Sequence, residues 1–305
     1  MRLMTVQVAA GGPAEPAVVV GDELLSLRAL GHASVRGLIA AGPDAWAAAG
    51  EAAAAGAGAL PPLGPVAAVA AVLPPVPDPP RNAFCVGTNY RAHIDELDRT
   101  DGSGAPTGAP VVFTKPWTSL VGSGATVPLH PGVTDFVDWE AEFVAVIGTP
   151  ALTVERDEAL AHVFGYMLGN DVTARDLQKP DGKPTQWFKG KSLDGFAPTG
   201  PVLVRADEVG DPAGLRAELA VNGTVRQRLD AADMIHDVPA IIAHLSRGMR
   251  LLPGDLVFTG TAAGVGAGHE PPISLHDGDV VEITSARLGT LRNPFADHVP
   301  VRVGP

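Results

Sequence analysis

The sequence predicts an α+β fold rich in β-strand. Short apolar runs broken by Gly, Pro and Asp outnumber the segments with helical spacing. Hairpin turns recur, and Asn222-Gly223 between Val221 and Val225 is the strongest, because both turn residues need positive φ. No internal repeat and no nucleotide-binding fingerprint interrupts the pattern, which favours an α+β core over a doubly wound sheet.

Taken in order, residues 5–8 and 17–20 read as short strands, with Gly21-Asp22 turning the chain into an apolar segment at 24–27. Residues 34–57 are alanine-dense and partly helical, punctuated by Gly42-Pro43. The Pro-rich stretch 74–80 is the best boundary. It divides a small N-terminal domain, 1–75, from a larger domain, 76–305. In the larger domain strands are expected at 83–86, 111–114, 143–147, 202–204, 217–221, 256–258 and 280–284. Helices are expected at 156–168 and 234–247.

The net charge of −12 and a pI near 5.1 argue against a nucleic-acid or anionic-membrane partner. They leave room for a small anionic substrate, since a bound divalent cation reverses the local field. Residues 52–77 carry no charge, but their prolines would break any membrane-spanning helix. MRLMTVQVAA has no long apolar stretch, so no signal peptide is expected and the cytoplasm is the expected location. The single cysteine, Cys85, rules out an internal disulfide and reads as a small buried hydrophobe.

The segment DWEAEFVAVIG carries the most chemistry. Glu140 and Glu142 are two apart, so on a strand both face one side, and the run that follows belongs in a core. Two buried carboxylates repel, and a hard cation shared between them resolves the conflict. An edge strand with a solvated acidic face fits the same spacing. Asp171, after an apolar run, suits a third ligand or a helix N-cap. Lys189 and Lys191 lie in a Gly-rich, aromatic-flanked loop, where one of them can steady a developing oxyanion or both can be solvated. His93 and Glu96 share one face of a helical turn, as a base with its orienting carboxylate or as a surface pair.

The stretches VGTNYRAHIDE, VVFTKP, VDWEAEFVAVIG, GYMLGNDVTARDLQ, WFKGKSLDGFAPTGP, VNG and LLPGDLVFTGTAAGVG with LHDGDVVEI occur in this order. Together, over about residues 80–295, the chain resembles the fumarylacetoacetate hydrolase family. The resemblance implies a β-roll-like catalytic domain, a homodimer, and Mg²⁺ or Mn²⁺ (with Ca²⁺ as an alternative) on Glu140, Glu142 and Asp171. It implies that His93 and Glu96, on a mobile lid, activate water and that Lys191 acts on substrate oxygens. Lys115, Arg175, Gln178 and Thr261 match its substrate-binding positions. Residues 85–93 lack the extra aspartate of fumarylacetoacetase proper, which places the chain with the smaller three-carboxylate branch. Ala262 replaces the proline of the usual TGTP and is expected to loosen that loop. Without substrate, His93 is expected to be displaced, or residues 94–110 poorly ordered.

The reaction so implied is C–C hydrolysis of a small 2,4-dioxo acid of the acylpyruvate or fumarylpyruvate type, passing through an enolate stabilised by the metal. Decarboxylation, isomerisation or hydration of a 2-oxo or hydroxymuconate-type acid shares that enolate. A catalytically inactive, ligand-binding β-roll is the remaining class, and it would have lost some of these residues.

Overall fold

The computed structural model describes residues 1–101, 108–183 and 185–297, with side chains placed outside 97–101. The fold is mixed α+β and strand-rich. The strands are β1 (Arg2–Gln7), β2 (Glu15–Val20), β3 (Glu23–Ser26), β4 (Pro62–Pro65), β5 (Ala71–Leu73), β6 (Ala83–Gly87) and β7 (Val111–Lys115). They continue with β8 (Leu120–Val121), β9 (Val127–Pro128), β10 (Val137–Asp138), β11 (Ala141–Ile147), β12 (Val163–Asn170) and β13 (Thr173–Ala174). The last are β14 (Ala197–Arg205), β15 (Arg216–Val221), β16 (Thr224–Asp230), β17 (Leu256–Thr261), β18 (Val280–Ser285) and β19 (Gly289–Ala296). The helices that matter here are α1 (Val35–Ala40), α2 (Pro43–Ala55), α3 (Arg91–Asp101), α4 (Arg175–Gln178) and α5 (Trp187–Lys191).

A large sheet runs β4-β3-β2-β1-β14-β12-β11-β17-β6-β7, and a second one runs β16-β15-β18-β19-β9. Strand β11 explains the layering. Its period of two sends Phe143, Ala145 and Ile147 to one cluster with Leu219, Ile283, Leu291 and Phe295 of the second sheet. Val144 and Val146 go to the opposite cluster, with Leu38, Ile39 and Trp46 of α1 and α2 and with Phe164. Trp46 meets Phe164 edge to face at 5.0 Å. The large sheet is therefore covered by the second sheet on one face and by N-terminal helices on the other. The N-terminal strands continue the large sheet, with Arg2 opposite Val204.

The Asn222-Gly223 turn joins β15 to β16 with φ of 51° and 76°, as its sequence requires. Asp237 caps a helix over Val238–Ser246, within the expected 234–247. The helix expected at 156–168 is not there. A short 3₁₀ turn, Ala159–His162, leads instead into β12, whose residues are all buried. A strand buried on both faces has no polar alternation, so its continuous apolar run mimics helical spacing. No helix among the described residues is long and apolar enough to cross a membrane.

Candidate active site

The pairing of β11 with β12 sets Ala141 opposite Asn170 and Glu142 opposite Gly169. The Asp171 N–H then donates to the Glu140 carbonyl at 2.8 Å. The start of one strand and the end of the next thus bring Glu140, Glu142 and Asp171 together, with an oxygen from each within 4.8 Å of the others. All three are buried, and β11 lies between β12 and β17 rather than at an edge.

Three buried cations surround the cluster. Lys191, brought in by α5, donates to Glu140 Oε2 at 2.8 Å, Asp171 Oδ2 at 2.7 Å and Thr173 Oγ1 at 2.8 Å. Lys115, at the end of β7, donates to Asp171 Oδ1 at 2.6 Å and the Val172 carbonyl at 3.1 Å. Arg175 donates through Nε to Asp138 Oδ2 and places Nη2 against Glu140 Oε1, both at 2.7 Å. Its Nη1 donates to Gln178 Oε1 at 3.2 Å. Lys189, by contrast, is exposed.

The compensation is uneven. Burial would raise the Glu140 carboxyl, but Lys191 and Arg175 outweigh burial and hold it below the usual carboxylate range. Glu142 has no ion pair among the described residues and accepts the Gly260 N–H at 2.7 Å. Burial, then the charges of Asp171 and Glu140, push its carboxyl well above the usual range. Burial depresses the Lys115 ammonium, whereas for Lys191 the charges of Asp171 and Glu140 overcome burial and raise it. Three hard oxygen donors, one of them lacking a cationic partner, fit a divalent cation. Glu140, Glu142 and Asp171 are the residues that would hold it.

His93 is buried on α3, its Nδ1 3.3 Å from Glu96 Oε2 and its ring within electrostatic reach of Glu140. His93 is packed against Glu96 rather than turned out to solvent. The physical reason is that Glu96 is anchored in turn, its two oxygens sharing the Gly264 N–H at 3.0 and 3.1 Å. Of the stretch expected to be poorly ordered, residues 102–107 lie outside the described residues.

Thr261 is turned inward, donating to the Ala141 carbonyl at 2.8 Å and accepting from Gln227 Nε2 at 2.9 Å. Arg175 and Gln178 are buried and bonded to each other, and Arg175 braces Glu140. The loop after Ala262 is pinned rather than loose: Gln227 Nε2 donates to the Ala262 carbonyl at 2.7 Å, and Trp139 Nε1 to that of Gly264 at 3.0 Å.

Several structural members of the site went unseen in the sequence. Asp138 is one, although the alternation Asp138, Glu140, Glu142 was a signal for it. Gln227 comes from the second sheet, and nothing near it in sequence pointed to the site. Asn89 Nδ2 ties the foot of α3 to the carbonyls of His236 at 2.9 Å and Thr259 at 2.7 Å. Beside it, Thr88 adopts φ of 52°, costly for a β-branched residue.

The family model for fumarylacetoacetate hydrolase, C-terminal, matches residues 82–296. The oxaloacetate tautomerase YisK of Bacillus subtilis is 44% identical over 220 residues, 72% of this chain and 71% of the relative. A fumarylacetoacetate hydrolase structure from Exiguobacterium antarcticum superposes with a TM-score of 0.81 at 37% identity, covering 98% of this chain and 100% of the other. A maleylpyruvate hydrolase structure from Sphingobium sp. SYK-6, in complex with manganese(II) and pyruvate, gives a TM-score of 0.78 at 30% identity, covering 97% and 99%.

Proposed function

This chain belongs to the fumarylacetoacetate hydrolase family, and we propose that it is an enzyme moving a proton on a small 2-oxo diacid, interconverting its keto and enol forms. The observation that carries this reading is the His93–Glu96 pair, buried beside three clustered carboxylates. With Nδ1–H directed at Glu96, the imidazole keeps Nε2 as a base, and Glu96 stabilises the imidazolium once a proton is taken. His93 would remove a proton from the carbon next to the 2-oxo group and return it to the oxygen, or run the sequence in reverse. Lys191 and Lys115 hold Asp171, and Arg175 holds Glu140, so the carboxylates keep one arrangement through the cycle. A divalent ion, Mg²⁺ or Mn²⁺, held by Glu140, Glu142 and Asp171 would polarise the 2-oxo carbonyl as a Lewis acid. The 44% identity with an oxaloacetate tautomerase supports this choice of reaction.

C–C hydrolysis of an acylpyruvate is the second reading, favoured by the maleylpyruvate hydrolase likeness. There the same base would take its proton from water, which attacks the distal carbonyl. One experiment separates them: oxaloacetate and a panel of 2,4-dioxo acids, with Mg²⁺ or Mn²⁺. It follows enol decay by ultraviolet absorbance, hydrogen exchange in D₂O, and products by mass. Faster tautomerisation and exchange with no new acid supports the first reading, and release of a second acid installs hydrolysis. Carbon dioxide release points to decarboxylation. His93→Ala is expected to lower turnover roughly 10²–10⁴-fold, the usual contribution of a general base, with metal affinity unchanged.

A further inference from the structure

We infer that the loop from Ala262 to Gly268 is a glycine-built seat that orients the His93–Glu96 pair, with Gly268 and Asp138 as its positioning residues. The inference rests on the reading of that pair as the proton-moving group. Glu96 does more than touch His93. Its carboxylate receives the Gly264 N–H on both oxygens, so its orientation is set by loop backbone. It also lies directly over Gly268, where a Cβ would come within 2.2 Å of Glu96 Cδ and 2.3 Å of Oε1. Any side chain at 268 would occupy the place the carboxylate now fills.

The seat is rigid for stated reasons. Gly264 has φ of +101°, and a Cβ there would meet the Arg226 carbonyl at 2.0 Å. A Cβ on Gly266 would meet the Ile273 carbonyl at 2.1 Å. Asp138 then fastens the loop, accepting the Gly266 N–H on Oδ1 at 2.6 Å and the Ala267 N–H on Oδ2 at 3.0 Å. The same Oδ2 accepts Arg175 Nε, whose guanidinium also pairs with Glu140. One buried aspartate therefore links the carboxylate cluster, through Arg175, to the loop that seats Glu96. This fixes the height of the base above the cluster, a distance to which proton transfer is sensitive.

Gly268 offers a clean test, because its backbone is outside the left-handed region and the nearest atoms to an added methyl all belong to Glu96. Gly268→Ala is expected to keep the fold and the Mn²⁺ affinity, while turnover of oxaloacetate falls at least tenfold. ¹⁵N NMR of His93 supplies a readout independent of activity: the Nδ1–H tautomer should dominate in the wild type and be lost in the variant. Shortening the carboxylate should then restore room, so Gly268→Ala with Glu96→Asp should recover tautomer and turnover relative to Gly268→Ala alone. Asp138→Asn should weaken the tautomer preference in the same direction. A Gly268→Ala protein with wild-type turnover and His93 tautomer, alongside an impaired His93→Ala, overturns the seat and leaves the base intact. Failure of Glu96→Asp to restore either readout also overturns it. An unimpaired His93→Ala removes the base itself, and the seat with it.

Discussion

The two sides of the carboxylate cluster are built on opposite principles. On the Glu140 side, Lys191 and Arg175 meet every charge with a resident cation, and Asp138 closes the circuit. On the Glu142 side a single backbone N–H, that of Gly260, meets a carboxylate buried among like charges. The difference teaches that the protein compensates one half of the site by itself and leaves the other half open, as the proposed cation would require. A site compensated throughout would bind no metal, and one compensated nowhere would resist folding.

Three substitutions probe that asymmetry. Glu140→Gln removes a charge that Lys191 and Arg175 both pair with, leaving them Asp171 and Asp138, and breaking a buried pair from one side costs about 3–5 kcal/mol. Urea unfolding in the presence of a chelator should show a loss of that size. Glu142→Gln should act in the reverse sense near neutral pH, raising the stability of the metal-free protein by on the order of 1–3 kcal/mol, because the folded state no longer holds a carboxyl whose ionisation its burial opposes. The same variant should lose Mn²⁺ binding by calorimetry. A Glu142→Gln protein less stable than the wild type without metal would break the comparison. The smallest effect is expected at Thr88, in the loop that abuts Gly260, where a Cβ would lie 2.7 Å from Asn89 Cβ. Thr88→Gly should release its left-handed strain and gain about 1 kcal/mol or less, visible as a small rise in thermal midpoint.

Much of this was legible in the chain. The E-x-E pair inside an apolar run marked Glu140 and Glu142 as candidates with a solvated edge strand still open, and the order of the motifs, Asp171 among them, favoured the metal site. Strands were placed within a residue at Ala83–Gly87 and Arg216–Val221, whereas the one expected at 202–204 runs from Ala197 to Arg205. β12 was missed because burial on both faces erases the alternation that marks a strand. The bonds that Arg175 and Thr261 make within the protein were harder still to foresee. An arginine that binds substrate and one that braces a neighbouring glutamate look alike until their partners are known. Gln227 reaches the site only because the second sheet folds over β11, a long-range event with no local signature.

The pairing of Arg2 with Val204 has a consequence for how the molecule is made. β1 can join β2 and, along Thr5–Gln7, β5 as soon as these exist, but the Arg2–Leu3 end of its other edge waits for β14, some two hundred residues later in the chain. At ribosomal rates of about 5–20 residues per second, that wait is roughly 10–40 s. During it the buried side chains of the first hairpin, Leu3 and Val18 among them, have neither β14 nor the core around Phe164 to cover them. The start of β1, made long before β14, is thus among the last edges to be enclosed. Chaperone binding during translation and slow refolding from denaturant belong to this topology, because contacts so distant in sequence close late.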